Sequence, residues 1–275
     1  QGINPMDQRK KLASELKAKQ ALMKTFEEAA LAYIETHGDG WKNPKHRAQW
    51  KSTLETYAFP KFGSRLVQDV DQEAVLSVLE PIWKDKTETA SRLRGRIEAV
   101  LDWSKVRGYR SGENPAAWKG HLDQLLVAPG KIAKVQHHRS LEYSKLPDFM
   151  DKLRQQSGMA ARALEFLIFC AARSGEVREA TWSEVDFQEG IWTVPPERMK
   201  AGKEHRVPLS KQAIALLRAQ PRIENCPYIF PGRKLGPLSD MSLSKVMRDM
   251  GVDAVPHGFR SSFRDWVGDE TTYPR

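Results

Sequence analysis

AARSGEVREATWSEVDF, residues 171–187, follows directly on an apolar stripe of Ala160, Ala163, Leu164, Leu167, Ile168 and Ala171 that repeats at helical spacing. The stripe predicts a buried helix that stops where the quoted stretch begins, which leaves Arg173 at its end. Ser174 is the expected N-cap of a following helix. Glu176 falls in the first turn of that helix, where a carboxylate complements the dipole and can brace Arg173. An arginine flanked in this way is held rigid, although capping a helix end or pairing with Glu176 would be purely structural uses of it.

Downstream, GIWTVPPERMKAGKEHRVPLS (190–210) reads as two short strands, 191–194 and 204–209, around a turn at Ala201 and Gly202. Lys200 lies on the lip of this hairpin with Lys203 as a neighbouring candidate. Further on, PHGFRSSFRDW (256–266) sets His257 and Arg260 three apart, a spacing that aims both side chains the same way on a helical turn. Two arginines, a histidine and a lysine are thereby offered to one site.

Upstream, the first half of the chain is helical in pattern. Thr25 caps a segment in which Phe26, Ala29, Ala30, Tyr33 and Ile34 recur at helical spacing and which ends near Gly38. A second helix runs from about 44 to 58, stopped by Pro60 and Gly63, and a third carries Ala74, Val75, Val78 and Leu79. A fourth, over 89–106, sets Leu93, Ile97, Val100, Leu101 and Ser104 on one face, and Arg92, Arg96 and Lys105 read as the opposite, basic face. The stretch 127–139 holds Pro129, Gly130, Lys131, Lys134, His137, His138 and Arg139 without periodicity, the texture of a basic linker.

At 275 residues the chain favours two domains. It has no run of about 20 apolar residues that could span a bilayer, and its polar start lacks the apolar core of a signal peptide. Cys170 and Cys226 lack the spacing of a disulfide framework or zinc site, and adjacent His137 and His138 without a partner ligand read as linker surface. The expectation is a soluble cytoplasmic protein without metal. The glycines are scattered singly, so neither a nucleotide-phosphate loop nor a dinucleotide fingerprint is present, and no cofactor is expected. Lys and Arg number 44 against 35 Asp and Glu, a net charge of +9 that suits a polyanionic partner. Both sides of Gly130 share the excess, with 21 basic against 17 acidic residues up to it and 23 against 18 after it.

R-S-G-E at Arg173, M-K-A-G-K at Lys200 and H-G-F-R at His257, in that order behind a helical basic domain, resemble the tyrosine recombinase family of phage integrases, and GFRSSFRDW is similar to integrases of prophages and genomic islands. The resemblance spans about 25–275. It implies a mainly α fold with a small antiparallel β-sheet. A helical, SAM-like core-binding domain and a mixed α+β catalytic domain would form a C-shaped clamp on DNA. On that pattern 1–20 is the end of an upstream linker, 21–126 the core-type DNA-binding domain, 127–139 the basic interdomain linker and 140–275 a catalytic domain incomplete at its C-terminus. Arg173 and Arg260 would match the non-bridging phosphate oxygens with paired hydrogen bonds, His257 would add a donor or proton shuttle, and Lys200 would protonate the departing 5′-oxygen. Arg92, Arg96, Lys105, Lys131, Lys134, Arg139 and Lys203 would contact DNA, and Glu176 would support Arg173.

The implied partners are double-stranded attachment-site DNA, further copies of the chain as a tetramer on DNA, and accessory DNA-bending or excision proteins, in a bacterial cytoplasm at the nucleoid. A catalytically inactive DNA-binding relative and a type IB topoisomerase-like enzyme are the alternatives. In this family a tyrosine attacks and holds a 3′-phosphotyrosyl bond. Among six tyrosines, only Tyr273 follows the His257 and Arg260 box. It comes too soon for the further helix that the family places between box and nucleophile, and Pro274 adjoins it. The expectation is therefore that the nucleophile lies beyond Arg275 and that QGINPMDQRKK ends a longer upstream segment.

Overall fold

The computed structural model describes residues 22–41, 44–133, 138–199 and 201–273, together with Met6 and Arg9. The chain divides into two compact units, Gln1–Val135 and Gln136–Arg275, each with its own hydrophobic core. Among the described residues no helix is long and apolar enough to cross a membrane.

In the first unit, helix α1 (Phe26–Gly38) starts at the predicted cap. The Glu28 amide donates to Thr25 Oγ1 at 3.2 Å, and the Thr25 amide donates back to Glu28 Oε2 at 3.0 Å, so two orphan donors of the first turn are satisfied at once. Helix α2 (Pro44–Tyr57) ends ahead of Pro60, and α3 (Gln72–Trp83) is capped by Asp71, whose side chain accepts from the Ala74 amide. Helix α4 (Thr87–Val106) begins two residues earlier than its pattern suggests and buries Leu93, Ile97, Val100 and Leu101.

Arg96 is the correction here. It is only 7% exposed, its Nη1 donates to the Gln49 carbonyl at 2.9 Å, and its guanidinium lies 5.6 Å from the Trp50 ring centroid. Position 96 is three after Leu93 and four before Val100, which on an α-helix is the edge of the apolar stripe rather than its opposite face. The arginine is a tie between α4 and α2. Beyond α4, the Trp83 indole donates to the Val127 carbonyl at 2.8 Å, and a single helical turn, α5 (Pro129–Ile132), packs Ile132 on the same core.

In the second unit, α6 (Leu146–Arg154) and α7 (Met159–Cys170) lead into α8 (Ser174–Arg178). Ser174 is the first residue of α8 and not its cap; Arg173 holds the cap position, with extended backbone. Strands β1 (Val185–Asp186), β2 (Ile191–Val194) and β3 (His205–Pro208) form an antiparallel sheet in that order, Trp192 opposite Val207 and Val194 opposite His205. The sequence reading contains the last two strands and lacks β1, a two-residue strand too short to show period-two alternation. Trp192 packs with Phe166, which also meets Phe230, at centroid distances of 5.1 and 5.7 Å. Helices α9 (Lys211–Arg218), α10 (Ser242–Asp249) and α11 (Gly258–Glu270) complete the unit.

The chain at 139–141 is strapped across the start of α11. The Val255 amide donates to the Arg139 carbonyl at 3.1 Å, and the Ser262 hydroxyl donates to the Leu141 carbonyl. A Cβ on Gly258 would overlap the Arg139 carbonyl oxygen and come within 2.8 Å of Ser140 Cα, so only glycine lets the strap pass.

Candidate functional site

Arg173 reaches its position through a turn that costs energy. Helix α7 closes on Ala171 in the left-handed region, at φ 45°, which disfavours an L-residue by roughly 1–2 kcal/mol. The carbonyl of that strained residue accepts a hydrogen bond from Arg260 Nη1, so the turn ahead of Arg173 and the first turn of α11 are tied together. Glu176, 6% exposed, receives Arg173 twice: the guanidinium donates to Oε1 at 2.6 Å and the backbone amide to Oε2 at 2.9 Å. A buried carboxylate with both oxygens engaged fixes the arginine stem while half of the side chain stays open to solvent.

His257 stands just ahead of α11 and Arg260 one turn inside it. Burial, then the charges of His138, Arg260 and Arg173, push the His257 imidazole below the usual histidine range. Arg260, bonded to the Ala171 carbonyl two residues ahead of Arg173 and one turn beyond His257, gathers the three side chains into one patch, and the His138 ring meets His257 edge to face at 4.7 Å. His138 had read as linker surface; its neighbour in space is invisible in sequence. The patch concentrates donors and positive charge with one buried carboxylate behind them, which is the chemistry needed to hold a phosphate and stabilise charge developing on its oxygens.

Lys200 and Lys134 lie outside the described residues. The root of the hairpin that carries Lys200 is anchored nevertheless: Arg198 donates to Glu184 and to the Glu176 carbonyl, which joins the hairpin to the helix that braces Arg173. Lys203 is exposed just ahead of β3. Arg139 is exposed and paired with Asp253. Arg92, Lys105 and Lys131 are exposed in the first unit, Arg92 pairing with Glu88 at 2.7 Å, and Arg96 is buried as described. Tyr273 is 75% exposed, beyond the end of α11.

Two basic side chains escaped the sequence reading. A cleft of about 480 Å³ beside Arg260 is lined by Cys170, Ala171, Ser261 and Phe263 and also by His205 and Arg264. Arg264 carried a readable signal, four residues after Arg260 on one helix; His205 carried none, because strand and helix meet only in the fold.

Residues 26–121 match the model of the phage integrase central domain, and residues 139–267 that of the phage integrase family. The chain belongs to the phage integrase family of tyrosine recombinases. The prophage integrase IntZ of Escherichia coli K12 is 30% identical over 279 residues, covering 99% of this chain and 66% of that protein. The integrase of enterobacteria phage P4 is 29% identical over 294 residues, covering 98% of this chain and 63% of its own length. This integrase-family chain thus spans about two thirds of the length of those relatives. A lambda integrase tetramer bound to a Holliday junction has the same fold, with a TM-score of 0.71 at 16% identity over 98% of this chain and 79% of that one. The Tn1549 transposon integrase in complex with circular intermediate DNA gives 0.67 at 14% identity, covering 91% and 89%.

Proposed function

We propose that this chain is the core-binding and catalytic part of a site-specific recombinase that cuts and rejoins attachment-site DNA through a 3′-phosphotyrosyl link, integrating or excising a prophage or genomic island. The observation that carries the reading is the gathering of Arg173, His257 and Arg260 into one patch with Glu176 bracing the first of them. Attack on a phosphodiester loads charge on the non-bridging oxygens, and Arg173 and Arg260 offer planar forks to match it. His257 adds a further donor or proton shuttle. Lys200 serves as general acid to the departing 5′-oxygen, with Lys203 as its rival for that role or a phosphate contact. The attacking tyrosine hydroxyl becomes the phosphotyrosyl ester, which conserves the bond energy for rejoining.

Duplex contacts come from Arg92, Lys105, Lys131 and Lys134 in the first unit and from Arg139 and Lys203 in the second. The DNA complexes of lambda integrase, a dimer on a core site and a tetramer on a junction, support a homo-oligomer as the acting species. Accessory DNA-bending or excision proteins and a place at the cytoplasmic nucleoid complete the proposal.

The test uses the full-length protein and a nicked duplex carrying its attachment core, read as a covalent protein–DNA adduct on a denaturing gel. An adduct is expected, and Arg173→Ala or Arg260→Ala should slow its formation by on the order of 100-fold or more while duplex binding persists. Full-rate cleavage by either variant would remove that arginine from the site. An adduct that disappears in Tyr273→Phe would make Tyr273 the nucleophile.

A further inference from the structure

The cleft beside Arg260 holds more donors than the scissile phosphate requires. In the second unit Arg154, Arg162, Arg173, Arg178 and Arg198 each face a carboxylate. The side chains of His205 and Arg264 line the cleft without a hydrogen-bond or ion-pair partner among the described residues, and no acidic residue is in that lining. Such imbalance around a concave opening marks a place for an anion.

His205 opens β3 and shares its face with the buried Val207, since side chains two apart on a strand point the same way. Arg264 follows Arg260 by one helical turn, so the two stand about 5–6 Å apart at Cβ on one helix face. At about 480 Å³ the cleft has room for more than one phosphate group. Burial pushes the thiol of Cys170, one of the lining residues, up to about 12, so that group is neutral at neutral pH. Phe263, 47% exposed, adds an apolar surface against which a deoxyribose can lie.

We infer that this cleft seats a second phosphodiester of the cleaved strand, adjacent to the scissile one, with His205 and Arg264 as its ligands and Arg260 between the two seats. This rests on the recombinase reading and deepens it. His205 and Arg264 are positioning residues: they touch a phosphate that does not react and set the register of the strand over Arg173 and Arg260.

The experiment measures binding of the chain to a fluorescein-labelled mixed-sequence duplex over a range of salt concentrations. Arg264→Ala should lower the slope of log affinity against log salt by about 1, the signature of one lost phosphate contact, and Arg264→Lys should restore it. His205→Ala should weaken binding several-fold at low salt, and His205→Gln less. Because both side chains hold one phosphate, the double alanine variant should bind little worse than Arg264→Ala. Circular dichroism and melting identical to wild type accompany each comparison. A wild-type slope in Arg264→Ala, or losses that multiply in full in the double variant, would sink the second seat while leaving the recombinase reading intact. A wild-type chain whose duplex binding ignores salt would instead overturn the DNA reading itself.

Discussion

Glu176 holds Arg173 by two hydrogen bonds from a buried position, so its charge matters more than its size. Glu176→Gln keeps the shape but turns an amide NH₂ toward the amide or guanidinium donor. We expect a stability loss of about 1–3 kcal/mol from the mismatched donor. Adduct formation should slow on the order of 10-fold or more with duplex affinity nearly unchanged, since Arg173 would be present but loose; single-turnover cleavage and a binding titration separate the two effects. His257 gives a second prediction at this scale. Its folded-state pKa is depressed below the ordinary value of about 6.5, so between the two values the unfolded chain binds more protons and stability rises with pH. The contribution is present above pH of about 6.5 and is lost as pH falls through the folded value. His257→Gln should flatten the melting temperature against pH over that acid range; an unchanged profile would show that the imidazole is not held neutral.

Helix α11 depends on one glycine. The strap at 139–141 crosses its first turn so closely that Gly258→Ala must push backbone against backbone, which no side-chain rotation relieves. Alanine gains up to about 1 kcal/mol of helix propensity over glycine, but overpacking costs typically about 1–3 kcal/mol, so the clash wins. Gly258→Ala should lower the urea midpoint at an unchanged slope and, by shifting α11, slow cleavage through Arg260. A midpoint at or above wild type would mean that the strap moves freely. Helix α4 carries the opposite lesson, because Arg96 looks like a surface charge in sequence yet stitches α4 to the Gln49 carbonyl and the Trp50 ring.

At the scale of the whole molecule the described residues form two cores, one around Phe26, Leu79 and Leu101 and one around Phe166, Trp192 and Phe230. Two cores predict two thermal transitions. Arg96→Ala removes a buried tie from the first unit and should lower only one of them. Glu165→Gln weakens a carboxylate that is 4% exposed and bonded by Arg154 and Arg162, and should lower only the other. Each variant should cost about 1–3 kcal/mol. Differential scanning calorimetry decides this: one transition shifted by both variants would mean that the cores unfold together.

Local patterns in the sequence determined most of the architecture. The Thr25 capping box, the apolar stripes of α1, α3, α4 and α7, the β2–β3 pair and the spacing of His257 and Arg260 all follow from periods of 3.6 and 2 and from capping chemistry, which act between near neighbours in the chain. The tertiary structure alone decided what depends on distant segments meeting. It buried Arg96, because a residue at the edge of a stripe goes inside only when a second helix offers it a carbonyl and a ring. It moved the cap of α8 from Ser174 to Arg173, because Glu176 could bond the Arg173 amide and guanidinium together. It brought His138 to His257 and His205 to the cleft of Arg260 across long stretches of chain. Periodicity reports which face of an element turns inward; which partner it finds there is set by packing, and packing is not written in the spacing of any one segment.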